Sequence, residues 1–140
     1  MEFSLGGFFD GILLHQVLQW HHLLSAVEGD GFRDLQVQIL ADGLFHLLMY
    51  VIACGGFWCL WKARREYAQP KADRLLFVNA LIAFGAWHVA DGILSHCVLG
   101  IHRIRMDSAN PLLWDLLWFF LFGVAVIVAG YFLRCGGASQ

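Results

Sequence analysis

The sequence predicts an all-α protein, a transmembrane four-helix bundle made of two helical hairpins related as a weak internal repeat. Three observations carry this prediction. Hydrophobic residues make up 59% and charged residues 14% of the 140 positions, which is too apolar for an ordinary soluble domain. The apolar residues fall into four blocks, each near or above the ~20 residues that cross ~30 Å of hydrocarbon as a helix. Finally, "DGILLHQVLQWHH" at residues 10–22 returns as "DGILSHCVLGIH" at residues 91–102, with Asp, Gly, His and His at the same spacing.

The blocks place spans at about 5–27, 37–61, 75–101 and 112–133 within a single membrane domain, 1–140. Runs this long argue against a β-barrel, whose strands need only about ten alternating residues. The first run lacks a basic leader, has Glu2 at its start and contains His and Asp, so it is expected to remain as a span rather than act as a cleaved signal. Lys62, Arg64, Arg65, Lys71 and Arg74 fall between the second and third blocks. The positive-inside rule places that loop, and with it both termini, in the cytoplasm. Loops 28–36 and 102–111 then face outward. Pro70 and Pro111 lie in a loop and at a helix start, so no span is broken by proline. A net charge of -2 leaves no electrostatic footprint for nucleic acid. Cys54, Cys59, Cys97 and Cys135 form no paired motif and are expected as small apolar fillers, with Cys97 notable only for adjoining His96. Gly55, Gly56, Gly85 and Gly123 are expected where helices pack closely.

Aligning Asp10 with Asp91 also aligns Gly11 with Gly92, His15 with His96 and His21 with His102. Asp42 and Asp115 give a fainter echo in the second and fourth spans. Counted from the outer ends, His15, His96, Asp42 and His46 lie at similar depth. Asp10, His88 and Asp91 lie deeper, and His21, His22 and His102 form a shallow outer layer. At ~100° per residue Asp10 and His21 share a face, as do Asp91 and His102, and as do His15 and His22. Charged or strongly polar groups facing lipid cost several kcal/mol, so these stripes are expected to point inward.

Neutral imidazole is a common transition-metal ligand, and a carboxylate can ligate or orient it. The expected metal ligands are His15, His46, His96 and Asp42. Asp10, Asp91, His21, His22, His88, His102 and Asp115 are supporting groups or a second site. Copper or iron suits this donor set best. The competing expectations are a haem held by His15 and His96, an ion or proton transporter, and plain interhelical hydrogen bonding. Catalytic residues are not assigned. A redox or metal-delivery role, as a membrane oxidoreductase or an accessory subunit, would involve the lipid bilayer and a membrane complex or homo-oligomer, not nucleic acid.

The segments "GGFFDGILLHQVLQWHHLLS", "ADGLFHLLMY", "DGILSHCVLGIHRIR" and "LLWDLL" resemble a bacterial family of four-helix integral membrane proteins of unknown function. The third segment departs from the family pattern, with His88 in place of Asn, Asp91 in place of Glu and Arg103 in place of a second His. The resemblance implies a multi-pass protein of the bacterial inner membrane. It also implies a link with oxidase assembly proteins thought to handle copper, which raises copper over haem.

Overall fold

In the computed structural model, residues 1–136 are described, and among them every regular element is helical. There are four helices. α1 runs Glu2–Asp10 and continues as π-helical turns over Gly11–Val17. α2 runs Leu35–Lys62. α3 runs Ala72–Asp91 and continues as π-helical turns over Gly92–Val98. α4 covers Pro111–Cys135, with π-helical turns over Phe119–Val124. α1 packs on both α2 and α3, and α3 on both α1 and α4, so α1 and α3 form the centre of the bundle.

Local sequence sets the helix ends. Asp34 caps α2 by accepting from Gln36 N at 2.7 Å, and Asn110 caps α4 by accepting from Leu113 N, with Pro111 at the first helical position. α2, Ala72–Val98 and Pro111–Cys135 are each long and apolar enough to cross a membrane. α1 is shorter, with nine α-helical and seven π-helical residues. The helix expected over 5–27 stops at Val17, because Gln19 takes a left-handed φ of 52° and turns the chain back. Gly100, φ 62°, does the same after Val98. Each turn is closed by backbone bonds, Trp20 N to Leu14 O at 2.9 Å and Ile101 N to Ser95 O at 3.0 Å. This is the left-handed helix stop of ordinary helices, widened to suit a π-helical turn.

The interior is inverted relative to a soluble protein. Leu14, Met49, Val78 and Ile104 are the buried hydrophobic residues, whereas the buried polar set includes Asp10, His15, His21, Asp42, His88, Asp91, His96, His102 and Asp115. Large apolar side chains such as Leu40, Trp58 and Phe132 are more than 60% exposed on the outside. This is the distribution expected when the surrounding solvent is hydrocarbon.

Glycines set how closely the helices approach. A Cβ at Gly85 would lie 2.7 Å from the carbonyl oxygen of Gly123, and one at Gly130 would lie 2.8 Å from Ile82 Cγ1, so α3 and α4 meet through backbone. The expectation for Gly55 fails, since a Cβ there would meet nothing within 4 Å. Gly85→Ala should therefore destabilise the protein by about 1–3 kcal/mol through overpacking. Gly55→Ala should leave stability unchanged or slightly raised. Thermal unfolding of the two detergent-solubilised variants, followed by circular dichroism, checks the contrast; equal melting temperatures would refute it.

Candidate metal centre

His15 and His96 each sit inside a π-helical segment. In an α-helix, residues five apart point about 140° away from each other. A π-helical turn closes on the fifth residue instead, which brings His15 over Asp10 and His96 over Asp91. The left-handed turns then fold His21 and His102 back onto the same places. Asp10, His15 and His21 thus offer ligand atoms all within 4.8 Å of one another, as do Asp91, His96 and His102, and all six residues are buried. Either group could hold a metal ion.

The hydrogen bonding of the imidazoles determines which atoms face these groups. His21 Nδ1 lies 2.9 Å from the carbonyl oxygen of Ile104, and His102 Nδ1 lies 3.1 Å from that of Leu23. A carbonyl only accepts, so both Nδ1 atoms carry the proton, and in the neutral rings both Nε2 atoms carry a bare lone pair. His15 Nδ1 lies 3.0 Å from Asp42 Oδ1, and His96 Nδ1 lies 3.1 Å from Asp115 Oδ1. These two approaches are too oblique for a hydrogen bond, and both Nδ1 atoms are buried without one. His21 and His102 are thus oriented through Nδ1, as metal-binding histidines commonly are, and all four imidazoles present Nε2 to the centre.

Several polar atoms of the centre make no hydrogen bond, His15 Nδ1 and His96 Nδ1 among them. His15 Nε2 and His21 Nε2 lie 3.0 Å apart, a hydrogen bond when His15 carries its proton on Nε2 and a pair of facing lone pairs when it carries it on Nδ1. His96 Nε2 and His102 Nε2 point toward Asp91 Oδ2 at 3.3 and 3.9 Å. Asp10 Oδ1, His96 Nε2 and His102 Nε2 are buried without a hydrogen-bond partner. The rings touch, with His21 stacked on His102 at 4.5 Å and 7° and His96 edge-on to His102 at 4.9 Å.

Asp42 and Asp115 play matching roles. Asp42 accepts from Leu23 N at 2.8 Å and pairs with His22 Nδ1 at 2.6 Å. Asp115 accepts from Ile104 N at 2.9 Å and from Arg103 at 2.8 Å. Above them, the Arg105 guanidinium lies over both Trp20 and Trp114, at 5.0 and 5.1 Å from the ring centroids. On the exposed loop, Arg105 holds the Asp107 carboxyl below the usual carboxylate range. His22, about one-quarter exposed, lines a cavity of about 360 Å³ together with Glu28, Arg33 and Gln38.

Residues 1–136 match the family described as "Predicted membrane protein (DUF2243)". The chain belongs to this family. No curated protein and no solved structure matches it.

Of the four ligands expected from the sequence, the structure brings His15 and Asp42 together and places His96 in the second group, beside Asp115. His46 joins neither group; it lies against Gly11, Phe8 and Phe45. His21 and His102, expected in a shallow outer layer, are only 3% and 1% exposed and sit at the centre. His22 does remain near the edge. His88 stands apart, accepting from Trp118 Nε1 at 3.1 Å within a cluster of Phe9, Phe84 and Phe122. Cys97 is exposed and does not join the centre. The repeated Asp, His, His spacing was the signal that marked His21 and His102, and only the assumption of a continuous α-helix moved them outward.

Asp42→Ala should leave Leu23 N, His15 and His22 without their acceptor and cost about 3 kcal/mol, as breaking a buried polar pair does. Asp42→Asn keeps an oxygen for Leu23 N and should cost less. Chemical denaturation of both variants in detergent tests this order, and a milder loss for alanine than for asparagine would contradict it.

Proposed function

We propose that this protein is a membrane metalloprotein that holds a transition metal, copper or iron, in a His/carboxylate centre, for redox chemistry or metal delivery within a larger membrane assembly. A single observation carries the reading. Four buried imidazoles turn Nδ1 toward an oxygen and Nε2 inward, beside Asp10, whose Oδ1 no donor reaches, and Asp91, whose Oδ1 accepts from Ser95 Oγ at 2.6 Å. Structural hydrogen bonding would pair buried polar atoms, whereas here Asp10 Oδ1, His96 Nε2 and His102 Nε2 converge unpaired, and a cation would meet them. Imidazole and carboxylate without thiolate suit iron and copper. Against haem, the imidazoles already touch ring to ring, with no gap for a macrocycle between His15 and His96.

The same reading takes the matched contacts of Asp42 and Asp115 as the product of an internal repeat, two hairpins around an axis between α1 and α3. It takes α1 as a fourth span. It sets both chain ends and the loop rich in Lys and Arg on the cytoplasmic side of a bacterial inner membrane, with the centre toward the outer face.

A second reading is proton transfer. His21, His15, Asp42 and His22 form a chain with contacts of 3.0, 3.0 and 2.6 Å that ends at the cavity beside His22. A proton can sit on either ring of the His15 and His21 pair.

Elemental analysis of protein purified from its native membrane separates the two. The metal reading expects stoichiometric copper or iron, reduced at least tenfold by His15→Ala combined with His96→Ala. Protein that is free of metal, together with pH-driven flux in liposomes that His22→Ala abolishes, would establish the proton path instead.

A further inference from the structure

We infer that the centre takes two metal ions, one in each Asp, His, His group, rather than one ion shared by all six side chains. This rests on the metal-binding reading above and adds the number of ions and the ligands of each. The first ion would be held by Asp10, His15 Nε2 and His21 Nε2, and the second by Asp91, His96 Nε2 and His102 Nε2.

Ring geometry rules out sharing. An imidazole binds a metal along the Nε2 lone pair, which lies in the plane of the ring. His21 and His102 are parallel to within 7° with centroids 4.5 Å apart. Side-by-side rings in one plane would collide at that distance, so the two rings lie in separate planes, about 3.5 Å apart at van der Waals contact. No single ion lies in both planes.

The anchors of the two rings point the same way. His21 is fixed through Nδ1 to Ile104 O, and its Nε2 meets His15 Nε2 at 3.0 Å. His102 is fixed through Nδ1 to Leu23 O, and its Nε2 points toward Asp91 Oδ2 at 3.9 Å. Each ring is thus anchored on the loop of the other group and offers its ligand atom to its own. Each group contributes unpartnered buried atoms, Asp10 Oδ1 and His15 Nδ1 in the first and both ring nitrogens of His96 with His102 Nε2 in the second. Two imidazoles and one carboxylate per ion is also the donor set of open non-haem iron sites, so each ion would keep positions free for an exogenous ligand.

The full chain in detergent would be stripped with chelator and loaded with Fe(II) under anaerobic conditions or with Cu(II). After desalting, bound metal per chain would be measured by mass spectrometry. The two-ion centre expects two equivalents in the wild type and one each in His21→Ala and His102→Ala, with wild-type circular dichroism as the control for folding. One equivalent in the wild type would overturn the two-ion centre and leave the metal reading standing. No bound iron or copper in the wild type would overturn both. The wild-type count decides between these outcomes even if a variant does not fold.

Discussion

The structure depends on satisfying polar groups where there is no water to satisfy them. Inside a bundle surrounded by hydrocarbon, each N–H and each acceptor must find its partner within the chain. Asp42 and Asp115 do most of this work. Asp42 joins α2 to His15 of α1 and to the backbone at Leu23, and Asp115 joins α4 to His96 of α3 and to the backbone at Ile104. Each carboxylate thereby links an outer helix, an inner helix and a loop. The loops lack regular structure around these points, yet they hold fixed positions because their amides are tied to buried carboxylates. With the loops fixed, the carbonyls of Leu23 and Ile104 are in place to orient His102 and His21.

That arrangement requires departures from ideal helix geometry. A π-helical turn is rare and is found mostly at functional sites. Gln19 in the left-handed region costs roughly 1–2 kcal/mol, a penalty that glycine at position 100 avoids. Had α1 continued as a regular α-helix, His21 would have passed onward along the bundle instead of returning to His15. The local strain and the central cluster therefore have a common cause, because the strain is what makes Asp10, His15 and His21 converge.

The larger features were legible in the sequence. Blocks of apolar residues located the helices, because long hydrophobic stretches have few alternatives to spanning a bilayer. The inward placement of Asp10, His15, Asp42, Asp91, His96 and Asp115 also followed, since lipid exposure of these groups is so unfavourable. Less legible was the end of α1 at Val17, because Leu18, Leu23 and Leu24 keep the composition apolar well past it. A left-handed turn at Gln19 has no glycine to signal it. His46 misled for a different reason. Counting residues fixes depth along α2 but not the rotation of α2 about its axis, and Gly11 leaves room for His46 to rest against α1 instead of reaching the centre.

The two Asp, His, His groups have different residues beside Asp42 and Asp115. His22 and Arg103 both lie against a central carboxylate, but their chemistry is not equivalent. Arginine stays protonated at any accessible pH, so Arg103 is a permanent countercharge that fixes Asp115 as a carboxylate. His22 instead stands at the wall of a cavity rather than under the Trp20, Arg105 and Trp114 stack. The two central carboxylates are thus held by partners of different kind, an imidazole lining a cavity for Asp42 and a fixed guanidinium charge for Asp115.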